Sequence, residues 1–209
     1  MKSPIVTLLL ASALLGMMTV STSKAQTTAR TGIKAGLNAS TLYLNNVNDR
    51  NERIGFHVGV FTQLPVSSFF AIQPELQYTT KGVSADYNLL GATGRNTFKL
   101  NYVELPVLAT FKLGNSVDLQ AGPYASYLLN SKVTTDGDLG SDYRNINRDN
   151  FNSFDYGIAG GLNIYFGTVL LGLRYGQGLQ PVAKDGGARL LMGKAKNATG
   201  QLSLGFTIK

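Results

Sequence analysis

The stretch TFKLNYVELPVLATFKL, Thr97–Leu113, followed by GNS at 114–116 and VDLQAGPYASYLLNS at Val117–Ser131, decides how the chain reads. Side chains alternate across a β-strand, so each run splits into two faces. Val103, Leu105, Val107, Ala109 and Phe111 form one face, and Tyr102, Glu104, Thr110 and Lys112 the other. Beyond Gly114-Asn115-Ser116 the alternation resumes, with Val117, Leu119 and Ala121 apolar and Asp118, Gln120 and Gly122 between them. Two alternating runs joined by three residues that include glycine read as a β-hairpin.

Outward from this hairpin the pattern repeats. Strands are expected near Gly32–Tyr43, Ile54–Leu64, Phe69–Lys81, Thr97–Leu113, Val117–Ser131, Ser153–Phe166, Val169–Gly178 and Ala198–Lys209. The even-numbered connections are tight, at 65–68, 114–116 and 167–168. The odd-numbered ones are long, at 44–53, 82–96, 132–152 and 179–197. In an up-and-down sheet all odd connections share one rim. Short turns at one rim and long loops at the other are how outer-membrane barrels sit, with the turns periplasmic. The expected fold is all-β, an eight-stranded antiparallel up-and-down transmembrane β-barrel.

The two faces support a membrane barrel. The apolar face includes Ile33, Leu37, Phe56, Val58, Ile72, Leu76, Tyr156, Ile158, Leu171, Leu173, Leu202 and Leu204, and no charge falls on it. A lysine or arginine at mid-bilayer on a barrel's lipid face costs ~2–4 kcal/mol. The opposite face mixes glycine with Gln, Asn, Ser and a few charges: Lys34, Lys81, Lys112 and Arg174 against Glu75, Glu104, Asp118 and Asp155. A soluble barrel of lipocalin type would invert this, with an apolar calyx and a charged exterior. Aromatic residues near strand ends, such as Tyr43, Phe69, Phe111, Tyr127, Phe154 and Phe166, stand where membrane girdles belong.

The N-terminus points to export. Lys2 precedes an uncharged run, Ile5–Val20, and Ser23-Lys24-Ala25 offers small residues to a signal peptidase. The run of 16 residues is shorter than the ~20 a helical span needs. We expect a cleaved signal peptide over 1–25 and an outer-membrane β-barrel domain over 26–209. Removing Lys2 and Lys24 leaves 17 basic residues against 12 acidic, so the net charge falls from +7 to +5. An exported chain rarely meets nucleic acid, which is not an expected partner. Lys184, Arg189, Lys194 and Lys196 make the last long connection basic, either as a solvated loop or in contact with anionic lipopolysaccharide headgroups. There is no cysteine, hence no disulfide framework and no thiolate chemistry.

Several stretches are familiar. Ile72-Gln73-Pro74-Glu75-Leu76-Gln77-Tyr78 with Lys81-Gly82, and Asn101-Tyr102-Val103-Glu104-Leu105-Pro106-Val107-Leu108, resemble hallmarks of the PorT-like family of Gram-negative outer-membrane β-barrel domains. So do Ala121-Gly122-Pro123-Tyr124, Asp155-Tyr156-Gly157-Ile158-Ala159-Gly160-Gly161, the opening Gly32-Ile33-Lys34-Ala35-Gly36-Leu37-Asn38, and Leu173-Arg174-Tyr175. The resemblance runs from about Gly32 to the end and implies an eight-stranded barrel mostly without an assigned activity. The founding member is tied to secretion and gliding machinery. The chain departs at its end, where Phe206 is followed by Thr207, Ile208 and Lys209 and not by a terminal aromatic residue.

An eight-stranded barrel is just wide enough for its own side chains to fill. Function then rests with the lumen, the long loops or a partner. Glu75 and Glu104 face inward from adjacent strands and repel unless a cation intervenes. Arg174 is placed to supply it, giving an expected internal cluster Glu75–Arg174–Glu104, with Lys34 and Asp155 as further members of the polar lumen. Its expected role is packing. His57 is the only histidine, and Ser40, Ser126 and Ser203 share its face, but no spacing selects a nucleophile. Asp136-Gly137-Asp138 with Asp142 resembles part of a calcium loop without its closing Glu. No catalytic residue, metal or cofactor is expected. The expected role is that of a structural or interaction protein working through long extracellular loops, with outer-membrane lipid and lipopolysaccharide as partners. The alternatives are an accessory part of an envelope secretion machinery in contact with other envelope proteins, and a barrel hydrolase or soluble ligand-binding barrel. Oligomeric state is not legible.

Overall fold

Ile33 is paired on one side with Val60 and on the other with Phe206, so the first strand is flanked by the second and the last. That double pairing closes the sheet. The computed structural model describes residues 29–43, 52–89, 92–137, 142–145, 152–184 and 195–208. Its strands are β1 (Arg30–Tyr43), β2 (Arg53–Pro65), β3 (Phe70–Leu89), β4 (Ala92–Leu113), β5 (Val117–Gly137), β6 (Asp142–Asn145), β7 (Phe154–Phe166), β8 (Val169–Pro181) and β9 (Lys196–Ile208). Eight of them make a ring of antiparallel neighbours, in the order β1-β2-β3-β4-β5-β7-β8-β9 and back to β1. A closed ring leaves no strand edge unpaired. Among the described residues the ninth, β6, pairs only with the far end of β5. The leader expected over 1–25 lies outside the described residues.

The tight connections fall where the sequence places them. Gly114 and Gly167 hold φ of 75° and 66°, a left-handed conformation that glycine adopts at little cost. At 66–69 the Ser67 hydroxyl accepts the Phe70 amide at 3.1 Å. These turns form one rim, and the long connections form the other.

At the long-loop rim the structure departs from the sequence reading. Residues 82–96 are not a loop: β3 runs on to Leu89, β4 starts at Ala92, and they stay in register as far as the Leu89–Ala92 pair. Much of 132–152 is likewise strand, with β5 reaching Gly137 before β6 folds back on it. The polar residues Ser84, Asp86, Asn88 and Asn96 suggested loop. Beyond the bilayer, however, a strand no longer needs an apolar lipid-facing side. Backbone pairing and the β-formers Val83, Thr97 and Phe98 suffice there.

The faces divide as the alternation demands. Leu37, Ile54, Val107, Phe166 and Leu204 point outward with 48–65% of their surface exposed. Phe70–Phe111 and Tyr127–Phe154 ring pairs, at 5.3 and 5.2 Å between centroids, stand near opposite ends of this apolar belt. Lys34, Glu75, Gln77, Lys81, Glu104, Asp155 and Arg174 point inward and are buried.

Candidate functional site

The lumen is organised in layers, because inward positions on neighbouring strands meet at heights fixed by the register. Nearest the turn rim, Phe61, Tyr165 and Leu170 pack together, and Gln63 donates to Asp118 at 2.7 Å. The Arg30 guanidinium lies 4.2 Å from the Tyr165 ring centre, a cation–π stack.

Above this floor sits Glu75, with none of its surface exposed. Its Oε2 accepts Lys34 Nζ at 2.7 Å and Arg174 Nη1 at 2.6 Å. Its Oε1 accepts Arg174 Nη2 at 2.8 Å and Gln73 Nε2 at 2.7 Å. Arg174 thus grips the carboxylate with both prongs, a geometry its planar fork supplies and lysine cannot. Its Nη2 also donates to Gln120 Oε1 at 3.0 Å, tying β8 to β3 and β5 across the lumen.

A second cluster centres on Glu104. It accepts Lys81 Nζ at 2.5 Å, Gln77 Nε2 at 2.7 Å and Ser126 Oγ at 2.8 Å. Lys81 Nζ lies 3.7 Å from Asp155 Oδ2, which also accepts Asn197 Nδ2 at 2.9 Å. The Tyr124 ring faces the same ammonium at 4.5 Å.

The five residues named from sequence therefore separate into two groups. Glu75, Arg174 and Lys34 meet. Glu104 and Asp155 meet through Lys81, whose part the sequence did not indicate. Arg174 bonds Glu75 and Gln120, and the cation on Glu104 is Lys81. The first group carries two cations and one anion, the second one cation and two anions. Each is off balance by one unit and their sum is zero, so each holds the counter-charge of the other.

His57 is held at both nitrogens. Asn38 Nδ2 donates to Phe56 O, Thr79 Oγ1 and Thr80 O at 2.9–3.0 Å, which leaves Asn38 Oδ1 as acceptor. His57 Nδ1 donates to that oxygen at 2.7 Å, so Nε2 is the acceptor facing Ser203 Oγ at 2.8 Å. The relay of hydroxyl, imidazole and orienting amide has the order of a nucleophile–base pair. Its members are only 1–6% exposed, with no carboxylate orienting the ring. Among the described residues no group of three or more His, Asp or Glu could hold a metal. Asp138, in the calcium-like fragment, lies outside them.

At the long-loop rim, Val83, Leu100, Tyr102 and Leu128 pack with Val182, Ala183 and Ala195. Val182 donates to Ala195 O at 2.8 Å and accepts Asn152 N at 2.9 Å, so the chain around β8 and β9 is drawn over the mouth.

A family match and one superposition above a TM-score of 0.5 agree with this architecture. The outer membrane protein beta-barrel domain family matches residues 24–184. The attachment invasion locus protein Ail of Yersinia pestis, solved with the heparin analogue sucrose octasulfate, superposes with a TM-score of 0.51 at 12% identity, covering 87% of this chain and 100% of that one. Neisserial surface protein A superposes at 0.46 with 15% identity, covering 87% and 96%, and OprG from Pseudomonas aeruginosa at 0.43 with 12%, covering 86% and 96%. None of the curated proteins matches the chain in sequence. With a ring of eight strands, an uncharged outer belt and a match over most of its length, the chain belongs to the outer membrane protein beta-barrel domain family.

Proposed function

We propose that this protein is a barrel with a filled lumen that acts as a structural and interaction protein through the end it presents outside the cell. The observation that carries this reading is the layered lumen: two salt-bridged clusters cross the bore, and an apolar cluster caps its outer mouth. A bore filled in this way is poorly suited to diffusion. What remains available to partners is the hairpin of β3 and β4, together with the outer ends of β5 and β6. Export through a leader over 1–25 belongs to the same reading.

The test uses the purified outer-membrane protein. Unboiled, it is expected to run apart from the boiled form on a detergent gel, to have an intact mass starting at Gln26, and to give no stable pore conductance in planar bilayers. A steady pore would overturn the filled-lumen reading.

The PorT-like motifs support a second reading, an accessory role in secretion. Its test is secretion by a strain lacking the protein, with export unchanged on the first reading and blocked on the second.

On this reading hydrolase chemistry at Ser203 is not expected. The Ser203 hydroxyl and His57 are almost wholly buried, and a side chain at Gly172 would come within 3.4 Å of Ser203 Cβ. A fluorophosphonate probe is expected to leave the folded barrel unlabelled. Labelling that Ser203→Ala abolishes would establish an active serine.

A further inference from the structure

One cross-strand pair breaks the rule that opposed side chains should attract. Lys99 of β4 lies directly opposite Lys132 of β5. Like charges in that relation destabilise a sheet. Among the described residues neither lysine has a carboxylate within salt-bridge range.

The pair results from a bulge. Along β4 and β5 the outward rows are Phe111–Leu119, Ala109–Ala121, Leu105–Ala125 and Val103–Tyr127. Between Asn101 and Tyr102 the register shifts, so Tyr102 is opposite Leu128 and Asn101 opposite Asn130. One extra residue on β5 exchanges its two faces. Above the shift Ser131 is buried opposite the buried Leu100, while Asn130 and Lys132 are exposed. Asn101 Nδ2 donates to Asn130 Oδ1 at 2.6 Å on that outer face. Without the bulge, Lys132 would point into the barrel.

Height identifies what the lysines meet. Rows on one face are spaced ~6.7 Å along a strand. With the ~40° tilt of a barrel strand this is ~5 Å along the membrane normal. Val103–Tyr127 is the last apolar row, and the Tyr127–Phe154 ring pair marks the interface there. The lysine row is thus ~10 Å beyond the girdle and ~5 Å beyond the first polar row. The headgroup layer of a bilayer is ~5–8 Å thick on each side. The backbone of the lysine row therefore lies just outside that layer, and a lysine stem is long enough to carry its ammonium back to the lipid phosphates while its methylenes lie along the barrel wall. Gly82 is the next residue in the row, opposite Lys99, and leaves it free of a side chain. Glu104 and Asp155 do not serve these lysines, since they are committed inside the barrel to Lys81.

We propose that Lys99 and Lys132 form a seat for a phosphate of an anionic glycolipid in the outer leaflet. The bound phosphate supplies the counter-charge that no described carboxylate gives the pair. The inference rests on the membrane-barrel reading above and names one partner of its outer end.

The test compares wild type with Lys99→Gln/Lys132→Gln in a zwitterionic detergent. Diphosphorylated lipid A is titrated in, and the unfolding midpoint is read from the boiled–unboiled gel shift. Wild type is expected to rise by ~5 °C or more at saturation, as for any ligand held only by the native state. Dephosphorylated lipid A should leave it unmoved, and the double variant should lose most of the rise. Lys99→Glu gives a second check: it pairs with Lys132, so its midpoint in detergent alone holds or increases, yet lipid A no longer shifts it. An equal rise in the double variant would overturn the seat. So would protection by soluble heparin, but not lipid A, through the same lysines. Loss of the gel shift in wild type itself would remove the barrel reading, a failure distinct from either.

Discussion

Replacing Arg174 by methionine is expected to lower the unfolding free energy by roughly 3–5 kcal/mol, the cost of removing one partner from a buried ion pair. Glu75 would keep Lys34 and Gln73 but lose both prongs of the guanidinium, and Gln120 Oε1 would lose its donor. The change would also leave the two lumen clusters with a net charge of −1, since Glu104 and Asp155 already outnumber Lys81. Arg174→Lys should cost less, because it preserves charge while losing the fork. Glu75→Gln placed in the Arg174→Met background should cost less than in wild type, since its main partner is already gone. Denaturant midpoints followed by the gel shift measure all four variants against wild type. An unchanged midpoint for Arg174→Met would show that the cluster contributes nothing to holding the barrel.

The same cluster shows how far the sequence could be read. Alternation alone places Glu75, Glu104, Arg174, Lys34 and Asp155 in the lumen, since inside and outside differ by one residue. Which cation meets which carboxylate depends on register and tilt, and alternation carries neither. Gln77 is opposite Glu104, so Glu75 lies two residues toward the turn rim and Lys81 four residues toward the long-loop rim. That offset gives Glu75 to Arg174 and leaves Glu104 to a lysine on its own neighbouring strand. The bulge between Asn101 and Tyr102 was similarly silent: it exchanges the faces of β5 beyond Leu128 without any glycine or proline to announce it. Phe61, Tyr165 and Leu170 are a third case. They are apolar residues at inward positions, which a search for polar lumen residues passes over. Their adjacency on neighbouring strands appears only once the ring is closed.

The outer belt provides the other large effect. Val107 is the middle of the five outward positions from Val103 to Phe111, almost half exposed, and flanked by the apolar Leu105 and Ala109. An arginine there is expected to cost ~2–4 kcal/mol in a bilayer, the penalty for charge at the midplane of a barrel's lipid face. The cost should fall toward ~1 kcal/mol or less for the same change at Asn101, at the polar edge of the same strand. Unfolding from lipid vesicles by denaturant, with both variants compared to wild type, measures the gradient. The two sites share a strand and a face, and the Asn101–Asn130 hydrogen bond lost in the outer variant works against the gradient, so a larger cost at 107 reports depth. Equal costs at 101 and 107 would mean that the belt faces water or protein. A steep difference would place the hydrocarbon boundary between them, below the Asn101 row that itself lies one row beneath Lys99 and Lys132.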